Sequence, residues 1–193
     1  LSSDGKIVAI GAPGNDGNED LSGHARIFQY SSGIWSQLGE DIVGEAAGDG
    51  SGHSVSLSSD GKIVAIGAPG NDGNGDDSGH VRIYRYSSGT WSQIGENIDG
   101  ENYGDRSGWS VSLSGDGSVV AIGAYKNNAN VINSGHVRIY RNVNNTWTQI
   151  GSDINGENID DRAGYSVSLS GDGSVVAIGA PYHDGPRTDR GQV

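Results

Sequence analysis

Cysteine and methionine are absent from the 193 residues, phenylalanine occurs once and proline four times. Without cysteine there is no disulfide framework and no thiolate metal site. Basic residues are scarce, with 12 Lys and Arg against 24 Asp and Glu and a formal charge of −12. That balance argues against nucleic acid as a partner, because phosphate binding needs a basic face. No apolar run approaches the ~18 residues a membrane helix requires, so no membrane insertion is expected. Nor does any segment hold a helical apolar period of useful length.

Glycine, by contrast, is abundant at 34 residues, the composition of short strands joined by tight turns. The strongest signal is a 56-residue period. Leu1, Leu57, Leu113 and Leu169 open LSSDGKIVAIGAP, LSSDGKIVAIGAP, LSGDGSVVAIGAY and LSGDGSVVAIGAP, and the first two copies agree at 43 of 56 positions. The units are 1–56, 57–112 and 113–168, with a partial unit at 169–193. A fixed period of this length marks a repeat architecture.

One unit predicts four strands. Ser54-Val55-Ser56-Leu57 alternates small polar and apolar residues, and Asp60-Gly61 predicts a two-residue hairpin with a type I′ turn. Lys62–Gly67 is a nearly continuous apolar run, as expected of a strand covered on both faces. His80–Tyr86 and Thr90–Ile94 are the third and fourth strands, joined through Ser87-Ser88-Gly89. Four short antiparallel strands per unit predict an all-β fold, a β-propeller or propeller-like array of four-stranded blades. An elongated β-solenoid is the alternative, although its coils are usually shorter and lack paired hairpins. Gly191-Gln192-Val193 repeats the place of the earlier Gly-His-Val, so the chain is expected to be a segment of a longer array. Closed propellers have ~4–8 blades. Closure would need remaining blades or further copies of the same array.

The residues also resemble a known family. Ser51-Gly52-His53-Ser54-Val55 followed by Gly67-Ala68-Pro69, with Gly108 and Gly123-Ala124, and Gly164 and Gly179-Ala180-Pro181, is similar to the FG-GAP repeat of integrin alpha-subunit propellers and many surface proteins. The family's leading Phe is replaced by Ser51, Ser107 and Ala163, and its Pro by Tyr125 in the third unit. The resemblance implies propeller blades and an extracellular or cell-surface setting. Integrin-type repeats carry calcium between the first and second strands. Here that connection is the Asp-Gly hairpin, so the family's calcium site does not carry over.

Strand parity places the second-to-third-strand loops and the inter-blade linkers on one face. Outside the four Asp-Gly hairpins, all 20 remaining acids fall in those segments, opposed by Arg106, Lys126, Arg162, Arg187 and Arg190. The face carries a formal −15 and the rest of the chain +3. Such a face solvates a glycine-rich protein and is a candidate surface for cations or partners.

Asp16, Asn18 and Asp20, and again Asp72, Asn74 and Asp76, space oxygen ligands as calcium loops do, which makes Ca2+ the candidate ion. Their counterparts Asn128, Asn130 and Ile132, and then Asp184, Pro186 and Thr188, are poorer ligands, and a turn built of Asn, Asp and Gly is the simpler account. Glu45 with Asp49, Glu101 with Asp105 and Glu157 with Asp161 recur in every linker. Paired carboxylates suit acid–base catalysis, but a catalytic pair is needed once, so their repetition speaks for structure. The Ser-Gly-His triplets at 22–24, 78–80 and 134–136 point to a turn into strand three, with imidazoles bonded to backbone, Trp or Asp. Trp35, Trp91 and Trp147 are expected to pack blade on blade. Trp109 and Tyr165, at the start of innermost strands, are the candidate ligand pocket, with packing the alternative. Asn144-Asn145-Thr146 is a candidate N-glycosylation sequon.

The expected role is a non-catalytic extracellular structural or adhesive module whose acidic face meets proteins, ions or glycans. A propeller lectin with sugar sites between blades is the alternative. No enzymatic activity is expected.

Overall fold

The computed structural model describes residues 1–128, 130–183 and 191–193. Sixteen strands occupy them. The first sheet holds β1 (Ile7–Ala12), β2 (His24–Ser31), β3 (Ile34–Gln37) and β4 (Ile42–Val43). The second holds β5 (Ser54–Leu57), β6 (Ile63–Ala68), β7 (His80–Ser87), β8 (Thr90–Gln93) and β9 (Ile98–Asp99). The third repeats it as β10 (Ser110–Leu113), β11 (Val119–Ala124), β12 (His136–Val143), β13 (Thr146–Gln149) and β14 (Ile154–Asn155). A last hairpin joins β15 (Ser166–Leu169) to β16 (Val176–Gly179). Every pairing within these sheets is antiparallel, in the order β5-β6-β7-β8 and β10-β11-β12-β13. The architecture is all-β and β-propeller-like, and the meandering sheets are not solenoid coils.

The apolar run of the second strand is covered on both faces. Val64 and Ile66 join Ile7, Ala25, Ile27, Ile42 and Tyr84 between the first two blades. The intervening Ala65 turns the other way, into a core with Val81, Ile83, Leu113, Val120, Ile122 and Tyr140. No blade encloses its own core, so burial depends on stacking. Ile66 and Ile122 are each 1% exposed, whereas Ile10, at the same position in the first blade, is 51% exposed because no blade covers that side.

The glycines of the family-like motif have a steric reason. A Cβ on Gly67 would run into the carbonyl oxygen of Gly108 in the next blade, and one on Gly123 into that of Gly164. The inner strands approach at backbone distance. Side chains of any size there would hold neighbouring blades apart.

Two expectations change. The Asp60-Gly61 connection is not a type I′ turn, since Gly61 has φ +70° while Asp60 is not in the left-handed region. Instead Ser58 Oγ donates to Asp60 Oδ1 (2.7 Å), which also accepts from Lys62 N (2.9 Å), and Gly61 N donates to Ser58 O (2.9 Å). Local side-chain bonding closes a longer loop. The two-residue turns lie in the outer hairpins, where Ser88 and Gly89 have φ 51° and 92°, and Asn144 and Asn145 have 52° and 64°.

The fourth strand is also broken. β7 pairs with β8 through Tyr84–Ser87 and with the two-residue β9 through His80 and Val81. Between the two pieces the chain bulges outward at 94–97. Glu40, Asp41, Glu96 and Asp153 occupy these bulges, on the blade edge instead of the loop face. The loops and linkers themselves do share one face, stitched by bonds such as Gly104 N to Asp76 O (3.0 Å) and Ser107 N to Ser78 O (2.9 Å).

Candidate functional site

Consecutive blades bring aromatic rings together where their innermost strands begin. His53, Trp109 and Tyr165 precede β5, β10 and β15, one repeat apart. The Trp109 ring lies 4.1 Å from His53, 4.5 Å from Tyr125 and 5.7 Å from Tyr165, centroid to centroid. Tyr125 and Tyr165 meet edge to face at 5.6 Å. Thus Trp109 and Tyr165, singled out from sequence, do come together. Tyr125 was missed, because it entered only as the substitution of the family's proline.

Cations border these rings. Lys126 Nζ lies 5.7 Å from the Tyr125 centroid, and the Arg162 guanidinium lies 5.9 Å from Tyr125 and 4.4 Å from Tyr182. Arg106 pairs with Asp77 across the linker. His53 Nδ1 donates to Trp109 O at 3.2 Å, and partial burial, with Arg106 nearby, pushes its imidazole pKa down. Trp109 is half-buried and Tyr165 is 39% exposed, so part of the platform is open to solvent. An aromatic face edged by cations can stack on a flat apolar face of a ligand while holding its negative charge.

The linker carboxylates do not form catalytic pairs. Asp105 Oδ2 accepts from Asn102 N (3.0 Å) and from Asn127 Nδ2 (2.9 Å), capping its own turn and tying the linker to the next blade. Burial pushes Asp105 up. In the fourth unit His183 takes the place of Asn127 and bonds Asp161 Oδ2 at 3.0 Å. Burial opposes the Asp161 charge, but that bond and the backbone amides of Asn158 and Glu157 outweigh it and hold its pKa low. The glutamates of the pairs point elsewhere: Glu45 Oε1 is 3.3 Å from Arg82 NH1, and Glu101 Oε1 is 3.4 Å from Arg138 NH1.

The loops with calcium-like spacing are closed by the residues proposed as ligands. Asp16 Oδ1 accepts from Leu21 N (2.9 Å) and Asp72 Oδ1 from Asp77 N (2.8 Å). Asn18 and Asn74 donate their side-chain amides to Gly44 O (3.2 Å) and Gly100 O (2.8 Å) on the adjoining linker. Asp20 and Asp76 each offer the backbone carbonyl to a linker amide, Gly48 N and Gly104 N. Asn128 and Asn130 make the corresponding bonds in the third unit, to Asn133 N and Gly156 O, so a neutral residue closes the loop equally well. Asp184, Pro186 and Thr188, with Arg187 and Arg190, lie outside the described residues.

The turn glycines of the Ser-Gly-His triplets take φ +74°, +74° and +72° at Gly23, Gly79 and Gly135. The expected imidazole hydrogen bonds are not made in the second unit: both ring nitrogens of His80 are buried without a hydrogen-bond partner, and Glu45 Oε2 lies 3.8 Å from Nδ1. Burial, and then Arg82, pushes its pKa down, and burial with Arg138 brings His136 to about 4. Both rings are therefore neutral at neutral pH. Trp91 and Trp147 do link blades, donating Nε1–H to Leu38 O (2.7 Å) and Ile94 O (2.8 Å). Asn144 is exposed at the tip of the β12–β13 hairpin.

Among the described residues no helix is long and apolar enough to cross a membrane. The FG-GAP repeat model matches residues 44–84 and 98–140. The first match runs from the linker through β5 and β6 into β7, and the second from β9 through β10 and β11 into β12. No curated protein matches the sequence. By shape, the chain is similar over its full length to 51% of a "putative 6-phosphogluconolactonase" from Bacteroides uniformis, at 17% identity and a TM-score of 0.57. A second protein so described, from Bacteroides fragilis, gives 17% identity over the same shares and a TM-score of 0.60. The periplasmic gluconolactonase of Pseudomonas aeruginosa gives 16% identity and a TM-score of 0.51, over 91% of this chain and 46% of that one. The chain spans about half the length of these structures. This finding overturns the expectation that the chain has no enzymatic activity. The reasoning from repetition fails, because repeated blades of this shape frame proteins described as lactonases, and the architecture does not exclude catalysis. At such identity the likeness establishes the shared fold. Together with the glycine contacts between inner strands, the two matches support FG-GAP-like repeats at residues 44–84 and 98–140.

Proposed function

We propose that the chain is part of a carbohydrate-binding β-propeller that works outside the cell or on its surface, with Trp109, Tyr125 and Tyr165 as the sugar platform. One observation carries the reading: successive blades converge these rings at the start of their inner strands, 4.5–5.7 Å apart, with part of the surface open. Stacked rings suit the apolar face of a pyranose. Lys126 and Arg162 beside them favour a sugar bearing a carboxylate or phosphate. The site uses the two residues named for the lectin alternative, Trp109 and Tyr165, with Tyr125 added and with Lys126 and Arg162 beside the rings. Display of such a platform suits an adhesive role toward glycans.

The lactonase names of the structural neighbours bring aldonolactones into the same ligand class. Titration of tryptophan fluorescence with neutral sugars, uronic acids and sugar phosphates tests the reading. Saturable quenching by the acidic sugars, lost in Trp109→Ala while the fold remains, is the expected result. Equal responses from native protein and Trp109→Ala would sink it. Following glucono-δ-lactone opening in parallel, above the buffer rate, would show whether the bound sugar is also hydrolysed.

A further inference from the structure

Away from the aromatic platform, three donor groups meet at the junction of the second and third blades. Glu101 comes from the linker, His136 opens β12 and Asp153 stands in the bulge before β14, with donor atoms all within 4.8 Å of one another. His136 Nδ1 is 4.0 Å from Glu101 Oε2 and 3.8 Å from Asp153 Oδ2. The imidazole is 1% exposed, and Nδ1 has no hydrogen-bond partner. A buried nitrogen left without a partner calls for an explanation.

The carboxylates are already oriented. Arg138 NH1 lies 3.4 Å from Glu101 Oε1, and Gln149 Nε2 donates to Asp153 Oδ1 at 2.7 Å. Each acid is thereby held by one oxygen and turns the other toward the same imidazole nitrogen. Outer partners of metal ligands act in this way. Around a tetrahedral ion with bonds near 2.0–2.2 Å, donors sit about 3.4 Å apart, so each carboxylate oxygen would move roughly half an ångström closer to Nδ1, and the two oxygens, now within 4.8 Å of each other, would close on the ion as well. One imidazole with two carboxylates suits zinc and its neighbours better than calcium.

We propose that Glu101, His136 and Asp153 bind one divalent transition-metal ion of the zinc class, through Nδ1 and one oxygen from each carboxylate. The ion would pin the linker, the third strand and the edge bulge to one another. The repeat supplies its own control. Glu45 and His80 recur in the second unit, but Asn97 replaces the aspartate and donates to Glu45 Oε2 at 3.3 Å, occupying the oxygen that a metal would take. In the first unit Asp41 is engaged by Arg26.

Titration of the chelator-treated full chain with Co2+ and Zn2+, followed by visible absorption and calorimetry, tests the proposal. The native chain should take up one equivalent. Asp153→Asn, which copies the natural second unit and should fold, should take up none, and Asn97→Asp should take up two. Absence of saturable uptake by the native chain, uptake unchanged in Asp153→Asn, or a single equivalent in Asn97→Asp would each overturn it.

Discussion

The indole of Trp147 donates its Nε1–H to the carbonyl oxygen of Ile94, 2.8 Å away in the preceding blade. That carbonyl opens the bulge that splits the outer strand, so the tryptophan both fills the interface and satisfies a backbone group the broken ladder has freed. Trp91 does the same for Leu38. Trp35, in the first blade, is 46% exposed. Trp147→Phe keeps most of the apolar area but strands the carbonyl, which should lower stability by about 1–3 kcal/mol. Trp35→Phe should stay within about 0.5 kcal/mol. Urea unfolding of the two variants checks the contrast, and equal losses would show that the hydrogen bond contributes little.

Identical residues in unlike surroundings give a second comparison. Ile122→Ala empties a position that is 1% exposed between two blades, and should cost about 2–5 kcal/mol. Ile10→Ala, at a site 51% exposed, should cost under about 1 kcal/mol. Denaturation midpoints measured on both variants decide the matter.

The buried imidazole of His80 makes stability depend on pH. Burial depresses its folded pKa, with Arg82 adding to the effect and Glu45, Asp49 and Asp99 partly opposing it. The sign follows: above the ordinary imidazole value of ~6.5 the neutral ring is at no disadvantage. As pH falls below that value the unfolded chain takes up the proton first, so stability is lost progressively. His80→Gln should flatten part of that slope, and Gln192 stands at the same position in the fourth unit. Melting temperatures between pH 7.5 and 4.5 measure it, and parallel curves for native protein and variant would refute it.

Asp72 closes its loop by accepting from Asp77 N, and Asn128 does so without charge in the next unit. Asp72→Asn should therefore melt with the native protein in the presence of chelator. A calcium-dependent rise in melting temperature that Asp72→Asn abolishes would instead assign the carboxylate a ligand's role.

Strand positions were legible because each depends on a few neighbouring residues. The alternation in Ser54–Leu57 and the run through Ile63–Gly67 announce an inner strand and one buried on both faces. The two-residue β9 was not, since Ile98 and Asp99 become strand only by pairing with His80 and Val81, some 18 residues away. Turn chemistry misled for a related reason: Ser58 competes for the Asp60 carboxylate, and the resulting loop displaces the expected turn. Trp109 and Tyr165 were visible as departures from the repeat. Their meeting with Tyr125, and that of Glu101 with His136 and Asp153, arises between units, where a period read along one chain carries no distances.

The bulge at 94–97 has a consequence for solubility. A chain that writes nearly the same strand again and again presents outer edges alike enough to template one another, molecule to molecule. An unbroken outer strand would expose a straight row of amides and carbonyls for that purpose. Splitting it into four residues and two, with Glu96 on the outward kink, leaves the outer edge of that blade neither long nor flat enough for a second molecule to extend the sheet there.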